Sequence, residues 1–394
     1  MTKRIIIRKP AVPSPPPRQL RNTEDPQALD PDTFPHPPAR GERTPPTIAN
    51  MRHLLASYGI EVRYDVIAKK LRISGDVLPS ADLASADETA MAHIVSLAAL
   101  NRYPRDTVEL YVAAIGDEQP LNPVKEWVKG APWDGTDRLP DICDTIRVAE
   151  GYPAELKQVL LRKWLLSAVA AALLDRRFRT RGVLTLQGPQ GRGKTSWVAS
   201  LVPEELRSAF IKLDHHLDAQ SKDSILGAIT HWICEIGELE GSLRKELARL
   251  KGVITRDTDK VRKPYARTET VMPRRTVFVA TVNDARFLMD DTGNSRWWTI
   301  SLETIEPNHG IEVQQLWAQL AAELEAGAEW WLTPEEEAQL EQQNRAHRAI
   351  SVVEDLILEV LDLDRVGEEG LVAMTPRELI VHVGVERPTN TQCK

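Results

Sequence analysis

The sequence predicts an α/β protein built on a parallel sheet with a phosphate-binding loop. Three features predict it. The run RGVLTLQG is short, apolar and closed by a glycine, as a buried strand is. It passes directly into GPQGRGKT, Gly188 to Thr195, which matches G-x-x-x-x-G-K-[ST] and leads into a helix near Lys194. Further apolar runs at Ala209 to Leu213, His231 to Ile236, Thr276 to Val282 and Trp297 to Leu302 alternate with helical or charged segments, the pattern of a parallel sheet.

Residues 1–46 hold 12 of the 27 prolines and few large apolar side chains after Ile7, so a disordered tail is expected there. From Thr47, ANMRHLLASYG has helical spacing, VRYDVIAKKLRIS suggests a short strand or hairpin, and helices follow near 86–100 and 106–116. A small, mostly helical domain is expected over 47–145. The nucleotide core is expected over 146–302, entered through a helix from Ala154 to Leu174. Two helices then form an extension over 303–350, the second opened by a capping box from Thr333 to Glu336 with Pro334 at its first position. The stretch 351–394 offers a helix at Val352 to Leu361 and a second capping box at Thr375 to Glu378. No repeat of fixed period is visible.

At 394 residues the chain is long enough for two or three domains. Its longest apolar run, Trp164 to Leu174, is about half a membrane span, and MTKRIIIRKP is too poor in apolar residues for a secretory signal. No membrane association is expected, and cytoplasmic residence is the default. Three scattered cysteines and nine histidines form no ligand spacing, which argues against a zinc site or a disulfide framework. The net charge of -7 argues against a protein that coats nucleic acid over its whole surface but leaves room for a local basic patch.

The chemistry expected at the loop follows from its residue types. Glycines let successive backbone N–H groups turn inward around a phosphate. The expected ATP-binding set is Gly188, Pro189, Gln190, Gly191, Arg192, Gly193, Lys194, Thr195 and Ser196, with Lys194 on the β- and γ-phosphates and the Thr195 hydroxyl on Mg²⁺. About 40 residues on, HWICEIGEL ends an apolar strand with Glu235 and then Glu238; the two carboxylates are expected to divide metal and base roles, Glu235 with Thr195 on the ion. Asn283, at the end of TVFVATVND, suits orientation of the attacking water or sensing of the γ-phosphate, although asparagine is also a common turn residue. Arg296 in DDTGNSRWW is a candidate arginine finger, the alternative being a surface salt bridge.

Between Arg244 and Arg275 eleven Lys or Arg face four acids, a net +7 that places positive potential beside the nucleotide site, as a strand-tracking protein needs. Lys251, Lys260, Arg262, Lys263, Tyr265 and Arg267 are the candidate nucleic-acid contacts. LDHH, Asp214 to His216, reads as a polar loop. Trp330, Trp331 and Cys234 read as packing residues.

The succession GPQGRGKT, WICEIGELEG, LKGVITRDTDKVRKPYAR, PRRTVFVATVND and TGNSRWWTI, with NPVKEWVKGAPWDGTDRL before it and LWAQLAAELEAGAEWWLTPEEE after it, resembles the virulence-associated protein E family over roughly residues 47–350. That resemblance implies an AAA+ or superfamily 3 helicase-like core of a phage or mobile-element replication ATPase, working as a ring, usually a hexamer, that moves on single-stranded DNA. It implies that Gly188 to Thr195 carry the phosphate-loop role, Glu235 and Glu238 the acidic motif, Asn283 the sensor, and Arg296 the finger that completes a neighbour's site. It also implies that Lys251 to Arg267 corresponds to the DNA-contacting hairpin. Two departures stand out: GNSRWW has Ser295 where the family usually shows paired arginines, and the acidic motif lacks adjacent acids, so which glutamate is the base stays open. No primase acid constellation precedes the core, so priming is expected from a separate protein. The segment 351–394 resembles part of a winged-helix module. The alternative to a helicase is a regulatory NTPase that remodels protein partners without moving on DNA.

Overall fold

The computed structural model describes residues 26–78, 86–175, 178–237, 250–261, 269–288, 294–348, 357 and 374–384. The chain divides into two compact units, Met1–Tyr64 with Leu71–Pro120, and Asp65–Lys70 with Leu121–Lys394.

The first unit is built from α1 (Ile48–Ser57), α2 (Ala86–Leu100) and α3 (Val108–Asp117), with the short strands β1 (Glu61–Asp65), β2 (Lys70–Ser74) and β3 (Pro120–Leu121) in the order β2-β1-β3. Thr47 opens α1 by accepting from the Asn50 backbone N–H, and Met51, Leu54, Ile94, Val108 and Val112 fill the interior. Residues 26–46 correct the expectation of a disordered tail. Phe34 is buried edge-on to His53, with ring centroids 5.1 Å apart. Asn50 accepts from the His36 N–H (2.9 Å) and donates to the carbonyls of His36 (2.8 Å) and Pro45 (3.0 Å). One aromatic anchor and side-chain bonds to the backbone hold a segment whose prolines already limit its freedom to move.

The second unit contains a six-stranded sheet in the order β4-β11-β5-β10-β7-β6. Its strands are β4 (Ile146–Val148), β5 (Val183–Gln187), β6 (Ile211–His215), β7 (Ile233–Ile236), β10 (Val277–Val282) and β11 (Trp297–Ile305). The last five pair in parallel, and β4 adds an antiparallel edge that its three residues did not announce. The run Ala209 to Leu213 is split: α8 (Glu204–Phe210) ends where β6 begins.

Both faces of the sheet are covered, and alternation along each strand divides the side chains between them. Val277, Val279, Leu184, Leu186, Ile300 and Leu302 face a core shared with α6 (Ala154–Leu173). Phe278, Ala280, Val282, Cys234, Ile236 and Trp297 face the other. Helix α6 is fastened by buried indoles: Trp164 Nε1 donates to the Phe278 carbonyl of β10 (2.7 Å), and Trp232 Nε1 donates to the Ala168 carbonyl (2.8 Å). Helices α4 (Pro123–Val128) and α5 (Leu139–Asp144) bury Val124, Val128 and Ile142 in that same core, so residues 121–145 belong with the sheet rather than with the helical domain expected over 47–145. Helices α10 (Val313–Glu325) and α11 (Pro334–Arg345) follow the sheet, the latter with the expected Thr333–Glu336 capping box. The second capping box opens α12 (Pro376–His382), whereas most of 351–394, including the helix expected at Val352 to Leu361, lies outside the described residues. No described helix is long and apolar enough to cross a membrane.

A separate antiparallel pair, β8 (Thr258–Val261) with β9 (Thr270–Pro273), precedes β10. Its root is pinned by a buried ion pair: Arg274 Nη2 lies 2.6 Å from Asp259 Oδ1, and Arg274 Nε donates to both carboxylate oxygens at 2.9 Å. Lys69 is buried beside this pair and donates to the Ile229 carbonyl (2.5 Å). Burial pushes its ammonium down from 10.5 to about 8; Asp259 opposes the shift, and Arg274 and Arg275 add to it. Below about pH 8 folded and unfolded chains both carry the proton and the full cost of burying it is felt. Between there and 10.5 the folded chain releases it first, so this group makes stability rise with pH across that window. Denaturant unfolding at about pH 7.5 and about pH 10 is expected to show this rise, up to about 3 kcal/mol, and Lys69→Met to remove it.

Candidate functional site

The carboxyl edge of the parallel strands gathers most of the singled-out residues. Strand β5 ends at Gln187, and the Gly188 N–H donates to the Val282 carbonyl (3.1 Å) on the neighbouring strand. A side chain at Gly188 would strike the Leu302 carbonyl oxygen, so the loop can leave between β10 and β11 only at a glycine. Gly191 and Gly193 take φ of 77° and 92°, a left-handed backbone that costs a residue with a Cβ about 1 kcal/mol or more. Pro189, Gln190, Gly191, Arg192 and Ser196 are exposed, and α7 (Lys194–Ser200) begins directly after the turn.

Lys194 is buried, and its ammonium is folded back into the loop. It donates to the carbonyls of Gly188 (2.6 Å) and Pro189 (3.0 Å) and to Asn283 Oδ1 (2.9 Å). An anion arriving in the turn would compete with these neutral acceptors for the charge. Asn283 itself is exposed at the end of β10.

Glu235 on β7 is fully buried. Its Oε1 accepts from Thr195 Oγ1 (2.6 Å) and from Thr281 Oγ1 (3.0 Å), and its Oε2 from the Asp214 backbone N–H (3.0 Å). Among the described residues no group of three or more His, Cys, Asp or Glu is arranged to hold a metal. A touching hydroxyl and carboxylate still suit Mg²⁺, which keeps most of its waters and takes one or two protein oxygens.

Two residues here escaped the sequence reading. Thr281 could have been flagged as a hydroxyl two positions before Asn283 in an otherwise apolar strand. Asp214 sits at the end of β6 with φ 49°, and its carboxylate occupies the space a Cβ on Gly237 would need. The polar-loop reading of LDHH missed that its backbone is aimed at Glu235. Glu238 lies outside the described residues. Cys234 is packed between β6 and β10, and burial, followed by the charge of Glu235, raises its thiol well above the ordinary range.

Other residues are brought to the opposite edge. Arg296 ends the 3-10 turn Asn294–Arg296 just before β11, whose Trp297 pairs with Val183 at the start of β5. Five residues of strand, about 17 Å, therefore separate it from the glycine loop of its own chain. The turn is held by buried Asn344 of α11, whose Nδ2 donates to the carbonyls of Asn294 (3.0 Å) and Trp297 (2.9 Å). The described end of the basic segment leads through β9 into the start of β10, so Arg274 and Arg275 lie at this edge and not beside the glycine loop. Arg274 and Arg275 are buried: the first pairs with Asp259, and the second donates to the Ala172 carbonyl (2.9 Å) and pairs with Asp175 (2.9 Å). They are structural cations. Lys260 is exposed on β8 and Lys251 half-buried, whereas Arg262, Lys263, Tyr265 and Arg267 lie outside the described residues.

Residues 128–349 match the model of the virulence-associated protein E-like domain, more than half of the chain and including every site residue discussed here. The chain belongs to the virulence-associated protein E-like family. No curated protein matches this family member. Among solved structures it is similar to the apo structure of the NrS-1 C terminal region, at 15% identity and TM-score 0.39, covering 81% of this chain and 79% of that one. It is also similar to the A form apo structure of the same region, at 14% identity and TM-score 0.37, covering 80% and 78%.

The close approach of Asp214 to Gly237 gives a direct check. Gly237→Ala is expected to lower stability by about 1–3 kcal/mol, seen as a drop in melting temperature. Gly227→Ala, whose new methyl meets only His215 Cε1 at 3.4 Å, is expected to cost less.

Proposed function

We propose that this chain is an ATP hydrolase of the replication-helicase type, working as a ring, a hexamer by its resemblance, that moves on single-stranded DNA in a bacterial host's cytoplasm beside a separate primase. The observation that carries the reading is the meeting of Lys194, Thr195, Glu235 and Asn283 at one strand edge, through the bonds of 2.9 Å from Lys194 to Asn283 and 2.6 Å from Thr195 to Glu235.

ATP with Mg²⁺ would supply the phosphoanhydride whose cleavage releases energy, the ion neutralising charge on the β- and γ-phosphates. The glycine turn presents its backbone N–H groups to the phosphates. With ATP bound, Lys194 would turn from the loop carbonyls and Asn283 to a phosphate oxygen, and the Asn283 amide would then be placed to orient the attacking water. The Thr195 hydroxyl and the Glu235 carboxylate would hold the ion, and Thr281 and the Asp214 amide keep that carboxylate in place. Glu235 and Glu238 are the two candidate acids for the water's proton, and Glu238 lies outside the described residues. Arg296, remote from its own loop, acts on the neighbouring subunit's phosphates.

Purified protein is expected to hydrolyse ATP faster with single-stranded DNA present, with DNA affinity falling as salt rises. Lys194→Ala is expected to abolish turnover. Mixing Arg296→Ala with Lys194→Ala subunits is expected to restore part of it, since a mixed interface joins one intact loop to one intact finger. Parental turnover in Lys194→Ala would overturn the nucleotide site, no rescue at any ratio the finger, and absence of DNA stimulation would favour the regulatory NTPase.

A further inference from the structure

The sheet edge opposite the phosphate loop carries charge that the proposed function leaves unused. Between α6 and β5, burial alternates residue by residue: Phe178, Thr180 and Gly182 are buried, Arg179 and Arg181 exposed. Extended chain has a period of two, so both guanidiniums fall on one side. The inward residues fix the segment. Phe178 packs on Trp330 with ring centroids 6.2 Å apart, the Arg179 carbonyl accepts from Trp330 Nε1 (3.3 Å), and Gly182 leaves the space that the Trp298 indole fills.

Both arginines line a cleft of about 600 Å³ whose other wall is the root of the β8–β9 hairpin, Thr258 and Val271 to Pro273. Neither makes an ion pair within the described residues. Leu174, Phe178 and Met272 give the cleft apolar surface. Of the acids at its rim, Asp175 is engaged by Arg275 (2.9 Å), leaving Asp257 against Arg179, Arg181 and the exposed Lys260 of β8. The run from Asp175 to Arg181 holds four arginines and one aspartate, so the local charge is positive in a chain that is acidic as a whole. Guanidiniums carried on an anchored segment beside apolar surface are the chemistry of a polynucleotide with unstacked bases: the cations take phosphates and the apolar surface takes base faces.

We propose that Arg179 and Arg181 form a second phosphate-contacting element, and that single-stranded DNA crosses the cleft between this segment and the hairpin root. The proposal rests on the DNA-binding part of the function proposed above and extends it to residues outside the hairpin.

Fluorescence anisotropy of a labelled oligothymidine, titrated with the full chain between about 50 and 200 mM salt, tests it. Arg179→Ala/Arg181→Ala is expected to weaken binding on the order of tenfold and to reduce the slope of log affinity against log salt by about 1.4, two contacts at about 0.7 each. Arg179→Lys/Arg181→Lys is expected to keep most of the slope. Thermal melting verifies that these exposed substitutions leave the fold intact. Parental affinity and slope in the double alanine variant, while Lys260→Ala weakens binding, would overturn the proposal and leave the function standing. Weakened binding with an unchanged slope would overturn it too, because the contact would not be to phosphate. A parent chain that ignores the oligonucleotide at low salt would end the DNA-binding reading itself, and this proposal with it.

Discussion

Glu235 is a carboxylate without solvent exposure, and it is held there by donors from three other segments of the sheet's carboxyl edge. Thr195 follows β5, Thr281 belongs to β10 and Asp214 to β6, while Glu235 itself lies on β7. Burying a charge costs several kcal/mol unless its lone pairs are used, so these donors must stay in place together. One side chain thus fixes the ends of neighbouring strands relative to the first turn of α7. Lys194 adds a second tie, from the glycine loop to Asn283, and the two ties share β10.

The polarity of a parallel sheet divides the remaining chemistry. Because every core strand from β5 to β11 runs the same way, residues just before a strand and residues just after one are separated by the strand's length. Asn283 and Arg296 are only 13 positions apart in sequence, yet one follows β10 and the other precedes β11. The same logic takes Arg274 and Arg275, the end of the basic segment, to the edge away from the loop, where they are consumed in holding the hairpin root and the end of α6.

Four of the buried tryptophans show how polar atoms are accommodated within so apolar a core, whereas the buried Trp297 Nε1 has no hydrogen-bond partner among the described residues. Trp164, Trp232 and Trp317 each direct the indole N–H to a backbone carbonyl, and Trp197 directs its own to the Thr145 hydroxyl. These bonds join helices to strands and to one another at defined points, which apolar contact alone does not do.

The sequence by itself determined the elements whose cause is local. Gly188 to Thr195 had to be a glycine turn between strand and helix, since its residue types tolerate little else; the Thr333 and Thr375 capping boxes were equally legible because four consecutive positions suffice to define them. Tertiary structure alone decided what depends on distant partners. Phe34 and Asn50 order a proline-rich segment, and Val124, Val128 and Ile142 carry 121–145 into the sheet unit. Likewise, Asp214 meets Glu235 through a left-handed residue that no spacing rule marks, and two arginines of a basic run become buried anchors. Charge and hydropathy state what a residue can do, but strand direction and order decide which residues it can reach.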